Sequence, residues 1–515
     1  MLNRPIDGEF NAEQTVGRIS ATFLEELIST HRKKIAPKYK KYQRLYENKH
    51  KIANRPRKDE NKPNNRISND FFGQIIDNTV GYFLGNPVIL NYTEPQKEKS
   101  LVEVDPVDVG VDLDEIEDDS VQIELDTMCI DNEKDDLFME WGKEAMIKGL
   151  SHLLVYQNEE SRTKIMRLAP ENVILVYKNS STKELLYAIR LYEIDTEDTD
   201  TTTFYAEVYD KTGYDVFKCV SGNGAKNKQY TTGYTFEKRV PHIYNAIPIV
   251  TMYNNEEKMS DLERVETLVN DYDKVLSDTS NEFEAFRNAY LLLKNMVTSS
   301  DSLSKLKEEG ILEVMENGDA KFLTKQIQTE ALENHLDRLE KNIYKFSQVP
   351  DLSDENFAGN LSGVAIRFKL FGLETKCIIK ERKMERAIRD LFRVLIVPLG
   401  VLTGHTPDAL NLKIEFTRNV PNNIEELVDT VTKLDGKVDK ETLLALLPFV
   451  DNPKEVLEKL KKDVEEDKKG KDPYSPENVL ADSNNLFPNL NAQTASQGNF
   501  TGMGGNFPTQ QEYGA

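Results

Sequence analysis

The side chains that could carry catalysis are few, and their spacing does not suit it. Six histidines, His31, His50, His152, His242, His335 and His405, are scattered, with no H-E-x-x-H and no nearby cysteine pair to complete a zinc site. Ser362 stands in Gly359-Asn360-Leu361-Ser362-Gly363, which lacks both the glycine two positions earlier and the strand-turn-helix context of a G-x-S-x-G nucleophile elbow. A phosphate-cradling loop needs G-x-x-x-x-G-K-[ST], so that backbone amides and a lysine surround the phosphates, and the chain has no such match. Its nearest glycine-rich piece, Gly222-Asn223-Gly224-Ala225-Lys226, falls between strand-like segments and reads as a hairpin loop. Cys129, Cys219 and Cys377 are odd in number and unevenly spaced, which predicts reduced, packed thiols. The acidic run from Glu103 to Asp119 lacks the glycine and spacing of a calcium loop and reads as a mobile, solvated insert. The expectation is no catalytic residue, no metal ligand set and no cofactor.

Charge narrows the classes further. With 66 Lys+Arg against 88 Asp+Glu in 515 residues, the net charge of −22 excludes a generally basic nucleic-acid coat. The longest apolar run, Val394 to Leu402, is broken by Pro398 and Gly400 and is far short of the ~20 residues a bilayer span needs. The start, MLNRPIDGEFNAEQ, has no apolar region behind a basic one, so synthesis and residence in the cytoplasm are expected. Against the acidic trend, residues 31 to 66 form a basic arm in which Tyr39, Tyr42, Leu45 and Tyr46 recur at helical spacing. It reads as an amphipathic helix with its lysines in water; the competing reading gives those lysines to DNA or to a neighbouring acidic subunit.

The elements that would position any site indicate an α+β fold. Ile67 to Leu84 reads as a helix stopped by Gly85-Asn86-Pro87, followed by a strand from Val88 to Tyr92. After a helix at 137–147 ended by Gly149, strand-like segments at 153–156, 164–168, 173–177, 188–192, 203–209 and 214–219 read as one antiparallel meander. Past Val250 the period changes. Leu262, Val265, Val269, Tyr272, Leu276, Thr279, Phe283, Phe286 and Tyr290 step by three and four, which predicts one helix of more than thirty residues. A second helix follows at 329–346, then a polar loop. A third helix, Leu361 to Leu399, is expected to pack through Val364, Phe368, Phe371, Ile378, Met384, Ile388, Leu391 and Leu395 while Lys369, Lys376, Lys380, Arg382, Lys383, Arg386, Arg389 and Arg393 face water. A strand at 412–416, a small helical unit closed at Gly436 and a polar tail complete the chain.

Four pieces carry a family resemblance: Tyr46-Glu47-Asn48-Lys49-His50-Lys51-Ile52, Pro63-Asn64-Asn65-Arg66-Ile67, Gly81-Tyr82-Phe83-Leu84-Gly85-Asn86-Pro87-Val88, and Val349-Pro350-Asp351-Leu352-Ser353-Asp354-Glu355-Asn356-Phe357 with Gly359 to Gly363. Over about residues 20 to 465 the chain resembles the portal proteins of tailed double-stranded-DNA phages, in the branch of siphophages and Gram-positive prophages. The resemblance implies a ring, usually of twelve subunits, at one capsid vertex, around a channel for DNA packaging and ejection. It implies an N-terminal arm and α+β wing at 1–250, a stem helix at 251–283, a clip at 284–327, a second stem helix at 328–346, a tunnel loop at 347–360, a long wing helix and strand at 361–419, a crown at 420–470 and a disordered tail at 471–515. Implied partners are further copies of the chain, the terminase large subunit, head-completion proteins, and major capsid and scaffolding proteins. The implied place is the virion, after assembly in the host cytoplasm.

By the same resemblance, Ser347, Pro350, Asp351, Asp354, Asn356, Phe357 and Asn360 belong to the DNA-facing loop, and Lys305, Lys307, Glu313 and Lys321 to the clip surface that docks partners. Lys341 and Lys345 on the second stem helix are read as transient phosphate contacts, or equally as bridges to acids of the next subunit. Two readings from other classes stand beside this one: a metal-dependent DNA-processing enzyme using the surplus carboxylates, and a non-viral coiled-coil adaptor.

Overall fold

The computed structural model describes residues 3–6, 9–12, 19–57, 59–60, 62–93, 120–178, 184–196, 201–220, 232–286, 290–294, 319–323, 329–352, 363–420, 431–445, 456–457 and 459–460. The chain divides into two compact units, residues 1–421 and 422–515. In the first, β1 (Asn3–Ile6) and β2 (Glu9–Ala12) precede α1 (Ala21–Thr30), a π-helical turn at His31–Ile35 and α2 (Ala36–Tyr46). Next come α3 (Phe71–Leu84), β3 (Ile89–Tyr92), α4 (Ser120–Asp131) and α5 (Lys134–Lys148). The strands β4 (Leu150–Gln157), β5 (Thr163–Leu168), β6 (Val173–Lys178), β7 (Leu185–Thr196), β8 (Thr201–Tyr209), β9 (Gly213–Val220), β10 (Thr235–Pro241) and β11 (Ile249–Tyr253) follow. Then α6 (Glu266–Phe286), β12 (Tyr290–Lys294), β13 (Asp319–Leu323), α7 (Thr329–Ser347), α8 (Gly363–Thr403) and β14 (Leu412–Glu415) complete the unit. In the second unit α9 (Lys440–Ala445) is capped by Asp439, and Gly436 takes φ +75° as the stop expected of it.

The fold is α+β as expected, with consecutive strands β6 to β10 forming an antiparallel meander. Two parts of the strand reading need correction. β4 and β5 lie not in that meander but with β11 in a separate three-stranded sheet, where Ile249 faces Leu154 across the ladder. Strands β1, β2 and β10 were not expected, and β2 joins the large sheet parallel to β6. Local spacing carries no information about either pairing, because β11 meets β4 from about a hundred residues away. The middle of the large sheet is buried on both faces, while β10 at its edge is exposed. Ile174, Val176, Ile189, Leu191, Val208 and Phe217 pack with α1 residues Leu24, Leu27 and Ile28, while Val173, Leu175, Ala188 and Tyr209 pack with Leu154 and Ile249 of the other sheet and with Ile247 just before it. Double burial explains the unbroken apolar run Val173-Ile174-Leu175-Val176.

A larger core joins α3, α4, α5 and α8, with Trp141 fully buried in it. Asp70 caps α3 through the amide of Gly73, and Phe72, Ile75, Ile76 and Phe83 fill its inner face. Gly149 ends α5 with φ +94°, and a Cβ there would stand 2.3 Å from the Lys258 carbonyl oxygen, so the chain turns into β4 where no side chain fits.

Both long-helix expectations are revised. The apolar stripe from Leu262 to Tyr290 spans three structures: a turn at 261–265, the 21-residue α6, and Tyr290 at the head of β12, which pairs with β13. Leu262, Val265 and Val269 are buried, Tyr272, Leu276 and Thr279 are half-buried and Phe283 is exposed, so the stripe reports burial only at its start, and not helix length. In α8 the buried face runs Leu370, Leu373, Cys377, Met384, Ile388 and Leu391. Val364, Phe368, Phe371 and Ile378, expected to pack, are 59, 78, 69 and 40% exposed, whereas Lys376 and Lys380, expected in water, are buried. A carboxylate, described next, neutralises them. Among the described residues no helix is long and apolar enough to cross a membrane.

Candidate functional site

The basic arm and the proline-asparagine motif meet on α6. From Asn65 to Asn69 the chain is extended and runs along the helix, and alternate amides donate to short polar side chains one helical turn apart. Asn65 N donates to Asn281 Oδ1 at 2.6 Å, Ile67 N to Ser277 Oγ at 2.9 Å, and Asn69 N to Asp273 Oδ1 at 2.9 Å. The match is geometric: two extended residues advance about 6.6 Å and four helical residues about 6 Å. This lacing keeps residues 67–70 out of α3, which therefore starts at Phe71.

Asp273 is fully buried and also accepts from Asn69 Nδ2 at 2.9 Å and pairs with His50 Nδ1 at 2.5 Å. A histidine oriented by a carboxylate has the form of a base and its orienting group. Here both side chains are 0 and 1% exposed, and the imidazole lies edge-on to Phe72, so no substrate reaches them. The pair is structural. Cations of the arm follow the same course: Lys41 and Lys51 reach Glu266 at 2.5 and 3.2 Å, Arg55 reaches Asp278 at 2.5 Å and Lys38 lies 3.7 Å from Glu263. Burial pushes the Glu266 carboxyl up, but the two lysines outweigh it and hold it below its ordinary value. Four cations of the arm are thus committed to acids at and before α6 of their own chain.

A second cluster ties the start of this helical region to the base of the polar loop. Asp261 Oδ2 lies 2.9 Å from Lys376 Nζ and its Oδ1 lies 2.8 Å from Lys380 Nζ, all within the core. Asn254 donates to Asp261 at 2.8 Å and accepts from Lys380. Burial opposes ionisation of Asp261, yet the two ammonium groups hold its carboxyl well below the usual range. Burial also draws the Lys380 amine down to about 8, against the pull of Asp261. Lys376 donates in addition to the Ser347 carbonyl at 3.2 Å, where α7 ends and Gln348 takes φ +60°.

Ser347, expected among the DNA-facing residues, is therefore buried; its hydroxyl donates to the Tyr344 carbonyl at 3.0 Å. Pro350 and Asp351 are half-buried beside it. Asp354, Asn356, Phe357 and Asn360 lie outside the described residues, as do Lys305, Lys307, Glu313, the 103–119 insert and the Gly222 loop. Lys321 sits in β13 opposite Leu292 of β12.

On α7, Lys341 and Lys345 are exposed, and among the described residues neither has an ion-pair partner; Lys345 Nζ lies 5.9 Å from the Phe346 ring centre. Around them acids dominate. α6 carries Glu266, Asp271, Asp273, Asp278, Glu282 and Glu284 against Lys274, and α7 carries Glu330, Glu333, Asp337 and Glu340 against Arg338, Lys341 and Lys345. Their mutual effect is visible where the helices pack: burial, then the carboxylates of Asp351 and Asp337, raise the Glu340 carboxyl. Tyr272, raised by burial and by Glu340, Asp337 and Glu333, stacks edge-on to Phe71 at 5.1 Å, and Phe71 meets Tyr344 at 6.0 Å. An acid-rich pair of helices with two free lysines can pass a polyanion along but has few groups with which to hold it.

Asp273, Ser277 and Asn281, the acceptors that lace the motif to α6, were not read from the sequence. Their four-residue spacing was the available signal. The family described as "Phage portal protein, SPP1 Gp6-like" matches residues 25–470, a span that includes these residues. A portal protein of Bacillus phage SPP1 is 26% identical over 424 residues, covering 79% of this chain and 77% of that protein. A portal protein of Clostridium phage phiCD119 is 29% identical over 299 residues, covering 55% of this chain and 63% of that protein.

Proposed function

The chain belongs to the SPP1 Gp6-like phage portal protein family, a family of capsid rings through which DNA passes, and on that premise we propose how this chain serves the ring. Residues 1–250 form the wing, α6 and α7 the stem that lines the channel, 284–327 the clip, 347–360 the tunnel loop and 420–470 the crown. The clip receives the terminase large subunit during packaging and head-completion proteins afterwards. Major capsid and scaffolding proteins hold the ring at its vertex. The chain itself is not an enzyme; the energy for packaging comes from the docked terminase.

The observation that supports this reading is the charge left on α6 and α7 once Glu266 and Asp278 have paired with the arm and Asp273 is buried: Asp271, Glu282, Glu284, Glu330, Glu333, Asp337 and Glu340 against Lys274, Arg338, Lys341 and Lys345. Phosphate contacts by many lysines release counterions and bind tightly, which would arrest a sliding duplex. An acidic wall avoids that. Lys341 and Lys345 then supply sparse, transient contacts, and the loop residues Asp354, Asn356, Phe357 and Asn360 approach the duplex without reading its sequence. The test is electron microscopy of the purified chain together with an ATPase assay: closed rings with a central hole and no ATP turnover without terminase are expected. ATP hydrolysis by the isolated chain, or particles without a hole, would overturn the reading.

A further inference from the structure

The seven-stranded sheet runs β1-β2-β6-β7-β8-β9-β10, so its open edges are β1 and β10. Both carry features that discourage pairing with another chain. β10 is exposed along almost all its length, has a register shift between Phe236 and Lys238, and ends at Pro241. β1 reads Asn3-Arg4-Pro5-Ile6, and its pairing with β2 is irregular between Asn3 and Ile6. β6, behind them, has none of these features: Val173, Ile174, Leu175 and Val176 are buried, with no charge, proline or glycine among them. The strand paired to it on that side is β2, over four residue pairs from Glu9 with Leu175 to Ala12 with Lys178, in the one parallel pairing among the described strands. Both covering strands lie outside residues 25–470, the span matched by the portal family. Without them β6 would be an apolar edge, which is a template for another strand.

We propose that the outer edge of β6 is a strand-acceptor site, and that β1 and β2 of the same chain occupy it and thereby keep it from pairing with β6 of a second copy. The edge itself selects that competitor. Two-fold pairing lays β6 antiparallel to its own copy, apolar run against apolar run, and satisfies every amide and carbonyl that β2 satisfies. Antiparallel pairs are slightly the more stable kind, and this one sets the two Lys178 residues at opposite ends, so no like charges face each other. The chain's own strand prevails because it is tethered. Residues 13–20 join β2 to α1, which gives β2 an effective concentration at β6 that a second copy does not reach. A two-fold contact is isologous and closes at two copies, whereas a ring needs one contact repeated around an axis. The two strands thus remove a dimer that would compete with ring closure, and this consequence, unlike the acceptor site itself, rests on the ring reading.

The full chain is compared with a variant lacking residues 2–12 and with full-length Phe10→Pro/Asn11→Pro, by circular dichroism and by size-exclusion chromatography with light scattering. Adjacent amides of a strand point to opposite sides, so the two prolines remove a donor toward β6 whichever of them faces it. Both variants should keep the parental helical signal and gain a two-fold species, either dimers or pairs of rings. A labelled synthetic peptide of residues 1–14 should bind the shortened variant and reverse the extra association. The same peptide with both prolines should bind about tenfold more weakly or worse. Precipitation of the shortened variant, prevented by the first peptide and not by the second, supports the site equally. Unchanged association in both variants, or precipitation that neither peptide prevents, would overturn the inference. The ring reading fails separately: a parent that never forms rings, with variants that dimerise and are reversed by the peptide, would refute the ring and keep the site.

Discussion

Lys376 Nζ sits 2.9 Å from Asp261 Oδ2 and, through its contact with the Ser347 carbonyl at 3.2 Å, joins the approach to α6 to the last residue of α7. One ammonium on α8 thus fixes both α6 and α7 against the long helix. Its loss and the loss of its carboxylate are not equivalent. Lys376→Met leaves Lys380 on Asp261 and removes one charge-assisted bond to Ser347, at a cost of about 1.5–3 kcal/mol. Asp261→Asn leaves two buried ammonium groups without a counter-ion and should cost about 3–5 kcal/mol. Urea unfolding of the two variants checks the order; an Asp261→Asn midpoint above that of Lys376→Met would contradict the clamp.

Two buried histidines predict the acid sensitivity. Burial draws His31 down to about 4, against the Glu171 carbonyl, which accepts from its Nε2 at 3.0 Å, and draws His152 down to about 3. Both are neutral in the folded chain. Below the ordinary histidine value of about 6.5 the unfolded chain takes up protons that the folded one refuses, so stability is full above that value and falls as the pH drops toward 4. Thermal midpoints measured between pH 7.5 and 4.5 should decline, and the decline should be shallower in His31→Gln, even though that variant starts lower.

Much of the fold was legible because its signals are local. Gly149, Gly436 and the turn-bounded strands β6 to β9 are each set by a few consecutive residues. The faces of α8 were not legible for the opposite reason. Phe368 and Phe371 look like core and Lys376 and Lys380 look like surface by type alone, and only the distant Asp261 on one side, and an unfilled face on the other, reverse the assignment. The length of α6 failed similarly: the stripe continues into Tyr290, but that residue is claimed by pairing with Leu323. For the candidate site, the motif residues Asn65 and Ile67 were conspicuous, while their acceptors on α6 lie more than two hundred residues away.

The lacing along α6 predicts graded, local effects. Ser277→Ala removes one acceptor for the Ile67 amide and should cost about 1 kcal/mol; Asp273→Ala strands the buried His50 imidazole and two donors of the half-buried Asn69 and should cost about 3 kcal/mol. Hydrogen exchange reads the position directly. In Ser277→Ala the Ile67 amide should lose protection while amides within the sheet strands β7 and β8 keep theirs. Uniform loss across both would mean that the segment is held by something other than this ladder.

Lys341 and Lys345 separate the two roles open to them. Both are exposed and make no ion pair among the described residues, so Lys341→Ala/Lys345→Ala should leave the stability of the subunit within about 0.5 kcal/mol. If they bridge to acids on the next subunit, the variant ring should dissociate at lower salt than the parent while any ring that survives packages normally. If they touch phosphate, the ring should persist and its retention of duplex DNA should depend less steeply on salt, because each lost phosphate contact lowers the slope of log K against log salt by about 0.9. We expect the second outcome with a reduced packaging yield, since the helix that carries them is otherwise acid-dominated and two cations per subunit are enough to centre a duplex without holding it. Unchanged rings, unchanged salt dependence and unchanged packaging would remove both residues from the site.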